Sequence, residues 1–350
     1  KTHRFGWEAQ EAVEDARESV ARLINARAAD IIWTSGATES NNLALLGAAE
    51  AHASRGRHAI TSRIEHKAVL DPMAALERRG FEVTWLEPES DGTVPADRVE
   101  AALRPDTTLV SVMLANNEIG TISPIAEIAA LTRPRDIVLH TDAAQAIGKF
   151  DVDVETLGVD LLSISGHKIY GPKGVGALYA RSRAPRVRLT PVFFGGGHER
   201  GIRSGTIAVP LVAGLGRACE IAREEGAAER ERLATLSERL REGLASEIDD
   251  VHFNGHPAAR LPGLVSATFP GVESESLMLG IPEIAISSGS ACTSAQLEPS
   301  HVLLGIGMSK GEANCTVRFG LGRFTTPTEI EFTIQRVATA VQRMRRSRRR

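Results

Sequence analysis

Short runs of β-branched and apolar residues recur through the first half of the chain, and helical patterns fill the gaps between them. The runs are "DIIWTS" (30–35), "HAITS" (58–62), "EVTWL" (82–86), "TLVSVML" (108–114), "DIVLHTD" (136–142), "DLLSIS" (160–165) and "GVGALYA" (174–180). Several are apolar throughout rather than alternating, as strands covered on both faces must be. Helical patterns occupy 38–54, 65–79, 96–103 and 124–132. Strand, helix, strand in this order predicts an α/β fold on a mostly parallel sheet flanked by helices. Such sheets place their functional groups beyond the carboxyl ends of the strands.

The remaining organisation is simpler. A charged helical stretch, "AREEGAAERERLATLSERLREGLASEI" (222–248), carries Leu233, Leu236, Leu240 and Leu244 at helical spacing, which reads as a packing face. The domain boundary is placed along it, giving a large domain at 1–224 and a smaller C-terminal α/β domain at 225–350. The opening residues "KTHRFGWEAQEAVEDARESV" are already an amphipathic helix pattern, unlike a signal or transit peptide. The chain is thus expected to start inside a fold, with its N-terminal segment truncated. No apolar run approaches membrane-spanning length. The net charge of -3 selects neither an acidic nor a basic partner. The final "RMRRSRRR" reads as a solvated helix end rather than a nucleic-acid tail. Cys219, Cys292 and Cys315 are too few and too scattered for a disulfide framework or a zinc site, so no metal is expected and a reducing compartment fits.

Lysine is scarce, so any Schiff base must use Lys1, Lys67, Lys149, Lys168, Lys173 or Lys310. Lys168 stands out in "DLLSISGHKIYGPKGVGALY", where an apolar strand ends in Ser165 and Gly166, His167 and Lys168 follow. A lysine at a strand end can be desolvated into an amine nucleophile. From this stretch alone, a surface lysine in a glycine turn reads equally well. A second buried run ends in Asp142, with Gln145 just beyond. An acid and a lysine at the ends of nearby strands suit pyridoxal phosphate, whose ring nitrogen needs a carboxylate and whose aldehyde needs an amine. Asp142 could instead cap a helix. The phosphate would need a cradle, and "IIWTSGATESNN" supplies a strand, then Gly36, Ala37 and Thr38, then a helix whose first amides face an anion. The loop "GGGHERGIRSGT" (195–206) reads as an anion contact or a subunit contact. His66 opens a helix, Asn117 lies in "ANNEIG", and Arg318 sits in a strand-like context where a carboxylate is its natural partner. Cys292 is set in "SSGSACTS", a surrounding of small and polar residues that suits an exposed loop rather than a core.

Taken together, "TSGATESNN", "EHKAVL", "NNEIG", "HTDAAQA", "SGHKIYGPKG", "GGGHERGIRSGT", "SSGSACTSAQLEPSHVL" and "VRFGLGRFTT" closely resemble the cysteine desulfurases of the long-loop, housekeeping iron–sulfur-assembly group. These are fold-type I pyridoxal 5'-phosphate enzymes of the class V aminotransferase-like superfamily. The resemblance runs from residue 1 to about 343. "SGHK" alone would point only to the superfamily; "SSGSACTS" separates this group from its transaminases and lyases.

The resemblance implies conversion of L-cysteine to L-alanine, with the sulfur passed to Cys292 as a persulfide. Lys168 would bear the cofactor, and His66 would stack on its ring and assist proton transfer. Asp142 would pair with the ring nitrogen and Gln145 with the phenolic oxygen. Ala37, Thr38, Ser165 and His167 would hold the phosphate, with Thr206 reaching in from the second subunit of a homodimer. Asn117 and Arg318 would hold the substrate carboxylate, Asn117 also touching the cofactor. Small neighbours would let Cys292 reach both the substrate and an acceptor, while Cys219 and Cys315 read as structural. The implied partners are an iron–sulfur scaffold protein and other sulfur acceptors, including those of tRNA thiolation. The implied location is the cytoplasm, or the mitochondrial matrix in a eukaryote. The family normally carries an upstream segment that closes the cleft and a tail that helps to dock the scaffold, where this chain has "RMRRSRRR". A selenocysteine lyase or another class V transaminase or lyase is the alternative, and a paralogue without catalysis is a further rival that the intact site residues oppose.

Overall fold

The protein is described by a computed structural model that covers residues 3–183, 186–288 and 299–348. The chain divides into two compact units. The first comprises Lys1–Leu86, Val94–Ala115 and Ser123–Gly226; the second comprises Glu87–Thr93, Asn116–Ile122 and Ala227–Arg350.

In the first unit, helix α1 (Arg4–Leu23) leads to strand β1 (Ile31–Thr34) and helix α2 (Ala37–His52). Strand β2 (His58–Ser62), helix α3 (Lys67–Arg78), strand β3 (Glu82–Leu86), helix α4 (Ala96–Ala102) and strand β4 (Thr107–Ser111) continue the alternation. Helix α5 (Ile125–Thr132), strand β5 (Val138–Asp142), the short helix α6 (Val154–Leu157), and strands β6 (Leu161–Ser165) and β7 (Gly176–Ala180) complete it. The sheet order is β1-β7-β6-β5-β4-β2-β3. β2, β4, β5 and β6 are buried at every position, so both faces of the sheet are covered, and polar residues they carry, such as His58, Ser111, His140 and Ser163, are hydrogen-bonded within it. The sheet is mostly parallel, as expected. β7 is the exception, antiparallel to both β6 and β1. Only the turn 166–175 separates β6 from β7, too short for a parallel crossover. Leu43, Leu45, Val69, Met73, Leu109 and Leu178 form part of its core.

Helix α7 (Val209–Glu247) gives its residues up to Gly226 to the first unit and the rest to the second. Strands β8 (His252–Asn254) and β9 (Leu264–Thr268), helix α8 (Ser274–Gly280), strand β10 (Ser287–Ser288), helices α9 (His301–Gly305) and α10 (Lys310–Asn314), strand β11 (Thr316–Gly320) and helix α11 (Pro327–Arg348) follow. The second sheet is antiparallel, in the order β10-β11-β9-β8. The leucine stripe of α7 is a packing face: Leu236, Leu240 and Leu244 join Val265, Phe269, Val317 and Val341 in a core. The C-terminal basic run is a helix end with Arg343 and Arg346 exposed, in line with its reading, but Arg345 is tied down. Most of it continues α11, and Arg345 donates to the carbonyl oxygens of Asp249, Asp250 and Pro270, which fastens that turn to the second unit.

Candidate active site

The strand pairings bring several carboxyl ends to one edge of the first unit's sheet. β7 is antiparallel to β6 and to β1, so β1 runs with β6, and β5, β4 and β2 run the same way. The segments that follow Thr34, Ser62, Ser111, Asp142 and Ser165 therefore emerge together. This edge collects Ala37, Thr38, His66, Asp142, Gln145, Ser165, His167 and Lys168.

Asp142 closes β5 and is only 5% exposed. Its Oδ1 accepts from the Ala144 N–H at 2.9 Å, the local turn cap that an aspartate after a strand can make. Its Oδ2 accepts from Asn41 Nδ2 of α2 at 2.7 Å, a non-local bond that fixes the carboxylate plane. Lys168 lies in the 3-10 turn Gly166–Ile169 directly after β6 and is exposed. β5 and β6 are paired, with Asp142 opposite Ser163, so the two strand ends that carry Asp142 and Lys168 are neighbours. The turn is tight: Gly166 N–H donates to Val175 O and Gly171 N–H to Gly166 O, both at 3.0 Å. A Cβ at Gly176 would stand 2.4 Å from Ile164 O and 2.6 Å from Gly36 Cα, so glycine is needed to bring the start of α2 against β7.

The polar groups around this edge are individually fixed. Ser165 Oγ and His167 Nδ1 share a hydrogen bond of 3.0 Å. Burial holds His167 below its usual range, with the charges of Lys168 and Lys173 acting in the same direction, so its ring is neutral at neutral pH. No side chain caps the start of α2, which leaves the amides of Ala37 and Thr38 available to an anion. His66 is the N-cap of α3; its Nδ1 accepts from the Ala68 N–H at 3.0 Å, which sets the ring and puts the proton of the neutral form on Nε2. Gln145 Oε1 accepts from Lys149 Nζ at 2.8 Å. Thr206 is exposed, in the loop before α7. The arginines of that loop are committed internally. Arg203 clasps Glu39 of α2 at 2.6 and 3.2 Å, and Arg200 donates to the carbonyls of Ala29 and Ile31.

Sequence reading passes over Glu65. It is wholly buried, and its Oε1 accepts from Ser62 Oγ and from the Met113 N–H, each at 2.8 Å. Burial, reinforced by the negative charge of Asp142, pushes its carboxyl up to about 8. The available signal was an acid beside His66, just past the end of a buried strand.

The second unit holds the other expected pair. Asn116 builds the turn: its Oδ1 accepts from the N–H groups of Glu118 and Ile119 at 2.8 and 3.1 Å, and its own N–H donates to Thr121 O at 2.9 Å. Gly120 takes φ +79 to close it. The turn presents Asn117, whose carbonyl oxygen accepts from Arg318 Nη1 at 2.5 Å across 201 positions of sequence. Asn117 Oδ1 is buried and meets no hydrogen-bond partner among the described residues. Arg323, close by in sequence, binds Glu229 at 2.7 Å. Glu118, also passed over in the sequence, is 5% exposed; Ser300 Oγ donates to its Oε2 at 2.5 Å while capping α9. Burial pushes Glu118 up to about 7, against the pull of Ser300 and of the Arg318 charge.

Cys292, the expected sulfur acceptor, lies outside the described residues. Upstream of it, Ser287 of β10 pairs with Arg318 of β11. Cys219 and Cys315 are both buried, and burial pushes the Cys219 thiol up to about 12, which leaves it no useful thiolate at neutral pH.

The arrangement has relatives. The family model described as aminotransferase class-V matches residues 1–332. The chain is 56% identical over 345 residues to a protein of Anaeromyxobacter dehalogenans named cysteine desulfurase IscS, covering 99% of this chain and 85% of the relative. It is 54% identical, with the same coverage, to the protein of that name from Azotobacter vinelandii. Among solved structures, one described as a NifS-like protein superposes with a TM-score of 0.90 at 35% identity, covering 98% of this chain and 90% of the other. Another, described as SspA in complex with cysteine, superposes with a TM-score of 0.82 at 40% identity, covering 93% and 91%.

Proposed function

This chain belongs to the class-V aminotransferase family and, within it, to the cysteine desulfurases, and from that premise we propose that it takes sulfur from L-cysteine with the help of pyridoxal 5'-phosphate, releases L-alanine and leaves the sulfur on Cys292 as a persulfide. The observation that carries the cofactor assignment is the pairing of Lys168 and Asp142 on adjacent strand ends. An exposed amine, a buried oriented carboxylate and an uncapped helix start on one sheet edge match the aldehyde, the ring nitrogen and the phosphate of that group. When bound, the cofactor supplies an electron sink for the pair left behind when the Cα proton departs.

The residues divide the work. Asp142, oriented by Asn41 and Ala144, keeps the ring nitrogen cationic. Ala37, Thr38, Ser165 and His167 hold the phosphate, the neutral His167 ring being kept in place by Ser165. Gln145 would donate from its Nε2 to the phenolic oxygen while its Oε1 stays with Lys149. His66, held by its cap bond, presents its ring face and a fixed Nε2 proton. Lys168 would hold the cofactor through its aldehyde and, as a free amine, would move the substrate Cα proton. Asn117 and Arg318 grip the substrate carboxylate, the fork of the guanidinium fixing its direction. The Cys292 thiolate then attacks the substrate sulfur: an S–S bond forms, the C–S bond breaks, and its electron pair stays on carbon to be protonated. L-Cysteine and the enzyme thiol thereby become L-alanine and the enzyme persulfide, with no external oxidant.

We further assign a homodimer in which Thr206 of each subunit completes the other's phosphate cradle, an iron–sulfur scaffold and other sulfur acceptors as partners, and the cytoplasm as the site of action. The bacterial relatives support this placement. Among the described residues no helix is long and apolar enough to cross a membrane. The relatives' names favour desulfurase over selenocysteine lyase. The test is the purified protein itself. It should be yellow, L-cysteine should change its visible spectrum, and brief exposure without reductant should add one sulfur to the Cys292 peptide. A colourless protein that cannot be reconstituted, or turnover that persists in Cys292→Ser, would overturn the reading.

A further inference from the structure

We propose that Glu118 is a positioning residue that competes with the substrate carboxylate for the Arg318 guanidinium, so that binding of an amino acid at this clamp is coupled to uptake of one proton by Glu118. The inference rests on the reading of Asn117 and Arg318 as the carboxylate clamp.

Among the described residues, the cation whose charge acts on Glu118 is the one that would also take the substrate carboxylate, Arg318. Arg318 is aimed by its 2.5 Å bond to Asn117 O, and Glu118 is the next residue along the same turn. The Glu118 side chain is 5% exposed, so water cannot screen it. Among the described residues its direct side-chain partner is Ser300 Oγ at 2.5 Å, and the charge of Arg318 acts on it without a direct ion pair. On the other arm of the turn, Thr121 Oγ1 donates to Asp91 O at 2.6 Å and accepts from the His256 N–H, with His256 Nε2 3.9 Å from Asp91 Oδ2. Neither Asp91 nor His256 is among the charges that act on Glu118.

Consider a substrate carboxylate arriving at Arg318. Two carboxylates would then share one guanidinium in a poorly solvated place, where like charges interact strongly. The lower-energy outcome is for one of them to take a proton from solvent. The substrate carboxylate has the lower intrinsic proton affinity and the better fork geometry, so the proton goes to Glu118. The side chain is poised for this, because its carboxyl already titrates close to neutrality. Ser300 does not obstruct the change: its hydroxyl donates to Oε2, and a proton can sit on Oε1. The Ser300 lone pairs stay on the Val302 and Leu303 N–H groups in either state, so α9 keeps its cap.

The probe is L-alanine, which occupies the clamp and has no thiol to titrate, bound to the holoenzyme between pH 6 and 9. For the wild type, affinity should fall as pH rises above about 7, approaching tenfold per pH unit for a single coupled proton. Glu118→Gln keeps an acceptor oxygen for Ser300 but cannot ionise, so this limb should vanish. Other ionisations of the holoenzyme are common to both proteins and cancel in the ratio. With L-cysteine, the same variant should change KM at high pH and leave kcat nearly unchanged, a split that a merely structural role would not give. Ser300→Ala removes the donor that favours the ionised carboxyl, so it should move the limb to higher pH; it carries the test even if Glu118→Gln fails to fold. A wild-type slope retained in Glu118→Gln, or a limb unmoved in Ser300→Ala, overturns the coupling. Arg318→Lys separates the two levels. If it weakens L-alanine while Glu118→Gln keeps the wild-type slope, the clamp stands and only the coupling falls. If it leaves L-alanine binding unchanged, the clamp reading and the coupling fall together.

Discussion

Replacing Glu65 by glutamine should make the first unit more stable at alkaline pH and remove most of a pH dependence that the wild type carries. Glu65 has no exposure to solvent, and burial outweighs its bonds from Ser62 and Met113, so its folded-state carboxyl titrates near 8. In the unfolded chain it titrates near ~4.3. The folded state thus holds a proton that the unfolded state has released throughout that interval. Stability from this group is fully present below the unfolded value and is lost as pH rises to the folded one. The slope is about 1.4 kcal/mol per pH unit, which accumulates to roughly 3 to 4 kcal/mol by pH 7. Glutamine retains an Oε1 for Ser62 and Met113 and has no proton to lose. The assay is urea unfolding of the cofactor-stripped chain at pH 5, 6, 7 and 8, followed by tryptophan fluorescence. Trp7, Trp33 and Trp85 all lie in the first unit, so the signal reports the unit that holds Glu65. Wild type and variant should be similar near pH 5 and diverge by several kcal/mol at pH 8, the variant being the more stable. Parallel curves across the range would refute the argument.

Three further outcomes follow from the same geometry. Asp142→Asn should fold, because an amide oxygen can still accept from Ala144, but it should lose on the order of a hundredfold or more in turnover through the missing charge at the ring nitrogen; alanine formation at a near-normal rate would remove Asp142 from that role. Lys168→Arg should purify without covalently fixable cofactor, whereas borohydride should attach the cofactor to the Lys168 peptide of the wild type. In Cys292→Ser, L-cysteine should still change the cofactor spectrum while no persulfide or alanine accumulates, and iodoacetamide should label neither Cys219 nor Cys315 in the native protein; native-state labelling of Cys219 would contradict its buried setting.

By itself the sequence determined the sheet and its chemical edge. The buried strands announce themselves as short β-branched and apolar stretches without strict alternation because both faces are covered, and βαβ order forces their carboxyl ends to one side. Lys168 and Asp142 were therefore legible as a pair before any contact was known. The leucine stripe of α7 was legible for the same reason, since helical spacing is a property of nearby residues. What the tertiary structure alone decided is every relation between residues far apart in the chain. Glu65 and Glu118 look like ordinary loop carboxylates in sequence, and only packing against Met113 and Ser300 turns them into buried acids. Arg203 reads as part of an anion or subunit contact until Glu39, 164 positions away, is found against it. Arg345 reads as a solvated charge until the carbonyls of Asp249, Asp250 and Pro270 are found to hold it. Local pattern records which face of an element is covered. It does not record what covers it, and the protonation state of a carboxylate or the partner of an arginine is set by that covering.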